Sequence, residues 1–168
     1  TPISKIWIIS SVFLIGFSQL YAQQTPASEV QALTAIYDSL GGNGWTLKTN
    51  WNSGNPGDAG NSWHGVTLDA QGHVTALSLP SNGLSGVIPS DIGDLPYLYS
   101  ITFYNNSISG QLPAEMDQLT GLQVLQIGYN NLSGSFPDVL LRMPALRTVK
   151  LRYNSWLTGP LPSDIDLM

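Results

Sequence analysis

Down the second half of the chain, apolar residues recur in groups of three. They are Val74, Leu77 and Leu79; Leu98, Ile101 and Phe103; Leu122, Leu125 and Ile127; and Leu146, Val149 and Leu151. Each group ends apolar–polar–apolar, as in Leu77-Ser78-Leu79 and Leu125-Gln126-Ile127. Alternation over so short a run predicts a strand with one face buried. An asparagine follows every group at the same offset (Asn82, Asn106, Asn130, Asn154), then a glycine (Gly86, Gly110, Gly134, Gly159), then a proline (Pro89, Pro113, Pro137, Pro162). The prolines are 24, 24 and 25 residues apart, the extra residue falling between Asn154 and Gly159. A fixed period of this kind marks a repeat architecture, in which no unit can bury its apolar face alone.

Each column has a physical reason. Stacked coils pair their strands into a parallel sheet and bury a ladder of Leu and Ile. The asparagine turns the chain, and its amide satisfies backbone groups that the turn leaves unpaired. Glycine permits the tight return, and proline stiffens the far side, where no ladder N–H is needed. Asp91, Glu115 and Asp164 each sit two residues after a repeat proline. At the start of a short helical turn a carboxylate complements the dipole, which accounts for the recurrence without catalysis.

Upstream, Val30, Leu33, Ile36, Tyr37 and Leu40 fall at helical spacing and predict a helix over about 28–40, ended by Gly41 and Gly42. Ser28 followed by Gln31 is the signature of a capping box. In the loop beyond, Trp45, Trp51 and Trp63 are expected to pack a cap over the open end of the repeat core; a platform for sugar rings is their other use. At the start, Lys5 precedes an apolar run from Ile6 to Phe17, and Ala22 offers a small residue before a cut. That run falls short of the roughly 20 residues that cross a bilayer, so it predicts a cleaved export signal. The expected organisation is a signal peptide at 1–22, a cap at 23–72 and about four repeats at 73–168, the last incomplete. Met168 takes the slot of Leu95, Leu119 and Met143, so another strand is due, and further repeats or a C-terminal domain are expected downstream.

The pattern LxxLxLxxNxLSGxIP at period 24 resembles the plant-type leucine-rich repeat of receptor-kinase ectodomains and polygalacturonase-inhibitor proteins. The stretch from Ala32 to Asp69, with GGNGW, TNW and WHGVTLD, resembles the N-terminal cap of the same proteins. The resemblance covers about Ser28 to Met168. It implies an α/β solenoid with a parallel sheet on its concave face, a helical cap, and short 3-10 or irregular turns on the convex side. Where the plant cap carries a cysteine in this segment, the chain has Leu68. A cysteine-free cap resembles bacterial exported and surface proteins with this repeat more than a plant receptor.

Composition narrows the function. The 168 residues are 42% hydrophobic and 10% charged, with no cysteine, so stability rests on burial and hydrogen bonds. A net charge of −5 gives no basic field for nucleic acid. His64 and His73 lack the paired spacing of a metal site, and no nucleophile–base arrangement stands out. No enzyme, metal or cofactor is expected, and no membrane span in the mature chain. The expectation is an exported, secreted or cell-surface recognition module that binds a protein or peptide. Adhesion to a polysaccharide, or service as the sensor portion of a larger receptor, is the alternative. In a solenoid the ligand face is the concave sheet. Its richest positions for anchoring a partner are Tyr104, Gln126, Tyr129, Lys150, Arg152 and Tyr153. Of the six basic residues, Arg142, Arg147, Lys150 and Arg152 fall in the last repeat.

Overall fold

The computed structural model describes residues 24–158. The expected export signal lies outside them, as do Gly159, Pro162, Asp164 and Met168.

One helix, α1 (Ala27–Ser39), opens the described chain. Nine short strands follow: β1 (Val66–Leu68), β2 (Val74–Ser78), β3 (Ser85–Gly86), β4 (Ser100–Thr102), β5 (Ser107–Gly110), β6 (Val124–Gln126), β7 (Asn130–Ser135), β8 (Thr148–Lys150) and β9 (Asn154–Thr158). Three 3-10 turns, Ser90–Asp94, Ala114–Gln118 and Asp138–Arg142, each follow a repeat proline. The strands form two sheets, ordered β1-β2-β4-β6-β8 and β3-β5-β7-β9. The fold is a leucine-rich-repeat α/β solenoid, with the first sheet concave and the 3-10 turns convex.

The sheet register follows the repeat. Leu77 pairs with Ile101, Ile101 with Leu125 and Leu125 with Val149, all parallel. These residues point inward: Leu77 and Leu125 are fully buried, as are Leu79, Phe103 and Ile127 two positions on. On the opposite edge β1 pairs antiparallel with β2 and covers the N-terminal end of the sheet. β1 is itself the edge strand, and at three residues it offers little template for pairing with another chain.

The asparagine column joins the coils. Asn106 Oδ1 accepts the Asn82 and Leu84 N–H groups of the preceding coil, and its Nδ2 donates to the Leu79 and Phe103 carbonyls. Asn130 accepts from Ile108 N–H and donates to the Phe103 and Ile127 carbonyls. Asn154 repeats the pattern with Leu132, Ile127 and Leu151. Asn82, first in the ladder, instead accepts from Leu47 N–H and donates to the Leu47 carbonyl, which ties the cap loop to the coils.

The second sheet was hidden from the sequence because its strands contain the glycine column. Gly86, Gly110 and Gly134 have φ of 121°, 75° and 91°, a region open to glycine. A Cβ at Gly86 would lie 2.1 Å from the Ser39 carbonyl oxygen, so the glycine also lets the helix end press on β3.

Two expectations for the cap divide. Trp45, Trp51 and Trp63 are buried, with Trp51 at ring-centroid distances of 4.9 Å from Trp45 and 5.1 Å from Trp63. They pack the cap, and a sugar platform on them is ruled out. The capping box does not form: Pro26 occupies the cap position and no side chain caps the helix. Glu29, just inside, is instead 2% exposed and turns toward the coils. Its carboxylate accepts Val74 N–H at 2.6 Å and meets His73 Nδ1 at 2.7 Å. No helix among the described residues is long and apolar enough to cross a membrane.

This register predicts a sharp contrast between neighbours. Leu125→Ala should destabilise by about 2–5 kcal/mol, and Gln126→Ala by less than about 0.5 kcal/mol. Thermal unfolding of both variants checks it; equal shifts would contradict the register.

Candidate functional site on the concave face

The concave surface is built from strand residues that do not point inward. Ser78, Thr102, Gln126 and Lys150 form one row across the sheet. Two residues on, Pro80, Tyr104, Gly128 and Arg152 form the next. Beyond them runs the column just before the asparagines, Ser81, Asn105, Tyr129 and Tyr153, with φ of 51°, 58°, 54° and 60°. The turn into each asparagine therefore requires a left-handed residue. Asparagine tolerates this conformation best among non-glycine residues, and a bulky side chain there carries a cost of roughly 1–2 kcal/mol. The last two coils nevertheless place tyrosine at it.

The six residues singled out from sequence lie together. Tyr104 and Tyr129 meet edge to face with centroids 5.0 Å apart, and Tyr129 and Tyr153 are 4.2 Å apart. The Arg152 guanidinium lies 5.6 Å from the Tyr129 ring centroid and 5.5 Å from that of Tyr153. A guanidinium resting beside this pair of packed rings is pre-oriented and keeps its N–H donors for a partner. Tyr104, Gln126, Gly128, Lys150 and Arg152 line a shallow recess of about 260 Å³. Among the described residues, neither Lys150 nor Arg152 has a carboxylate within ion-pair distance, whereas Arg142 has Asp117 at 3.3 Å and His73 has Glu29 at 2.7 Å. Among the described residues the recess thus presents two uncompensated positive charges, on a chain whose net charge is −5.

Desolvation, followed by the adjacent Tyr153 hydroxyl, holds the Tyr129 phenol above its ordinary pKa, while Arg152 pulls the other way. At neutral pH the phenol is a neutral donor and acceptor. Gly128 lies in one of these outward rows, yet it is buried. A Cβ there would sit 2.9 Å from the Arg152 carbonyl oxygen. The glycine lets the last coil close down and forms the floor between Tyr104 and Arg152. Its position within an outward row is the signal that sequence reasoning passed over.

Comparison with known proteins agrees with the fold. The Leucine Rich Repeat family model matches residues 73–95 and 121–143. A probable leucine-rich repeat receptor-like protein kinase of Arabidopsis thaliana is 31% identical over 101 residues, 58% of this chain and 10% of that protein. Among solved structures, the Arabidopsis receptor kinase HAESA, in complex with the peptide hormone IDA and the co-receptor SERK1, superposes with a TM-score of 0.61 at 28% identity. The match covers 75% of this chain and 21% of that one. The PEPR1–AtPEP1 structure gives 0.60 at 25% identity over 83% of this chain and 23% of that one. The chain therefore spans between a tenth and a quarter of these similar proteins. The repeats are similar to those of plant receptor kinases.

The strained tyrosine column yields a stability test. Tyr153 is 62% exposed, so little burial offsets its backbone cost. Tyr153→Asn should leave the protein as stable as before or up to about 1 kcal/mol more stable. Chemical denaturation measures this, and a loss of more than about 1 kcal/mol would show that the ring serves packing.

Proposed function

We propose that this chain is the recognition module of an exported protein and binds a protein or peptide at the concave face rather than catalysing a reaction. Tyr104, Gln126, Tyr129, Lys150, Arg152 and Tyr153 make the contacts. The observation that carries this reading is Arg152, set beside the paired Tyr129 and Tyr153 rings without an acidic partner among the described residues. Its placement beside Lys150 favours a ligand segment that brings a carboxylate into the recess, with apolar or aromatic groups against the tyrosines. Likeness to a receptor kinase solved with a peptide hormone supports a peptide-sized partner.

On this reading residues 1–22 direct export, 23–72 cap the solenoid, and 73–168 carry the repeats, at the cell surface or in the medium. The cysteine-free cap supports a bacterial surface protein as the source. A second reading, the sensor portion of a larger signalling receptor, draws on the receptor kinases among the similar proteins. Adhesion to polysaccharide loses its strongest candidates with the burial of the three tryptophans.

Selection of a displayed random peptide library on the chain tests the binding face. Enriched peptides should be acidic, and Arg152→Glu or Tyr129→Ala should weaken them by about 30-fold or more, the loss of a hot spot worth about 2 kcal/mol. Enrichment insensitive to both variants, or tighter binding to immobilised glycans than to any peptide, would contradict the proposal.

A further inference from the structure

We propose a second binding site, away from the concave face, that takes a guanidinium or ammonium group from a basic side chain of a protein partner. It is a recess of about 450 Å³ where the start of α1 meets the convex turns, walled by Glu29, His73, Asp94, Pro96, Tyr97 and Gln118 among others. These residues precede the concave strands, whereas Tyr129 and Tyr153 follow them, so the two sites occupy opposite margins of the sheet.

The aromatic floor is organised in advance. Tyr97 stacks on His73 with centroids 3.8 Å apart and planes 25° from parallel. His73 is in turn fixed by Glu29, whose second oxygen is anchored by the Val74 N–H. One Tyr97 face is therefore covered, and the residue is still 51% exposed, which leaves the other face for a ligand. Nothing about this stack needs to move when a group settles on it.

The charge around the floor has one sign among the permanent ions. Asp94 is exposed and Glu29 lies beneath the histidine; among the described residues, Asp94 forms no ion pair and no Lys or Arg lines the recess. An aromatic face beside a carboxylate attracts a cation, and a guanidinium can lie flat on the ring while donating to the carboxylate edge. The Gln118 amide oxygen offers one more acceptor. An anion would meet the exposed Asp94 carboxylate with no Lys or Arg among the described lining residues to offset it. The concave recess, with Lys150 and Arg152, has the opposite preference, so the inference stands independently of the function proposed above.

The test is an NMR titration of the full chain at low salt, following the Tyr97 and His73 ring resonances. The probes are end-blocked tripeptides of glycine with a central arginine, lysine or glutamine, and glucosamine. The arginine and lysine peptides should shift both rings. Asp94→Asn and Tyr97→Leu should each weaken the arginine peptide roughly three- to tenfold, while Tyr97→Phe retains binding and Tyr153→Leu has no effect. Both side chains are exposed, and circular dichroism confirms that each variant is folded. The proposal is overturned if the glutamine peptide binds as well as the arginine peptide, if Asp94→Asn changes nothing, or if the shifts fall on Tyr104 and Tyr129. Glucosamine binding more tightly than either basic peptide would overturn the assignment to a protein side chain.

Discussion

The asparagine ladder is the interaction on which the rest of this structure depends. Every asparagine amide after the first reaches back across roughly one repeat: Asn130 accepts from Ile108, 22 residues earlier, and donates to the Phe103 carbonyl, 27 residues earlier. A buried backbone group without a partner costs about 1–3 kcal/mol, so each coil relies on the next to close its own turn. The leucine ladder supplies the greater part of the burial and resists a one-residue slip, which would turn it to solvent. The amides fix the same register a second time, because each has its donors and acceptors at fixed positions. The one-residue insertion between Asn154 and Gly159 falls after the asparagine and leaves its bonds in place.

Closing the turn in this way sets the geometry of the candidate binding face. The residue ahead of each asparagine must adopt a left-handed backbone, and its side chain is thereby thrown to the margin of the concave sheet. The fold would accept asparagine or glycine in all four coils, and Asn105 is such a choice. Tyrosine at 129 and 153 spends stability on two rings that hold a guanidinium. Strained positions of this kind concentrate where a protein binds something. Lys150 ends the strand that leads into the second of these tyrosines, and Arg152 follows two residues on.

Most of the solenoid was legible because period and chemistry coincide. Leu77, Leu125 and their equivalents alternate with polar residues, and a column of asparagines at constant offset marks the same turn closing every coil. The six concave residues could be grouped from register alone, and the structure brings them together. The rest was hidden for separate reasons. The second sheet runs through Gly86, Gly110 and Gly134, and glycine normally argues against a strand. Gly128 counts as outward by parity, yet a neighbouring coil covers it. Ser28 and Gln31 fit a capping box in sequence, but the helix starts earlier, and the acid that matters is Glu29, drawn inward by a histidine and a strand N–H more than 40 residues away. Such a contact leaves no local trace in a sequence.

The claim that successive coils close one another can be measured by hydrogen exchange at Leu84, Ile108 and Leu132, whose N–H groups donate to Asn106, Asn130 and Asn154. The comparison is between the wild-type chain and Asn130→Asp, which keeps an acceptor for Ile108 but turns the donor group toward two carbonyls into an acceptor. The account predicts that all three amides exchange in the wild type at the free energy of global unfolding, and that the variant lowers their protection together. Loss confined to Ile108, with Leu84 and Leu132 unchanged, would show that the coils open independently and would contradict it.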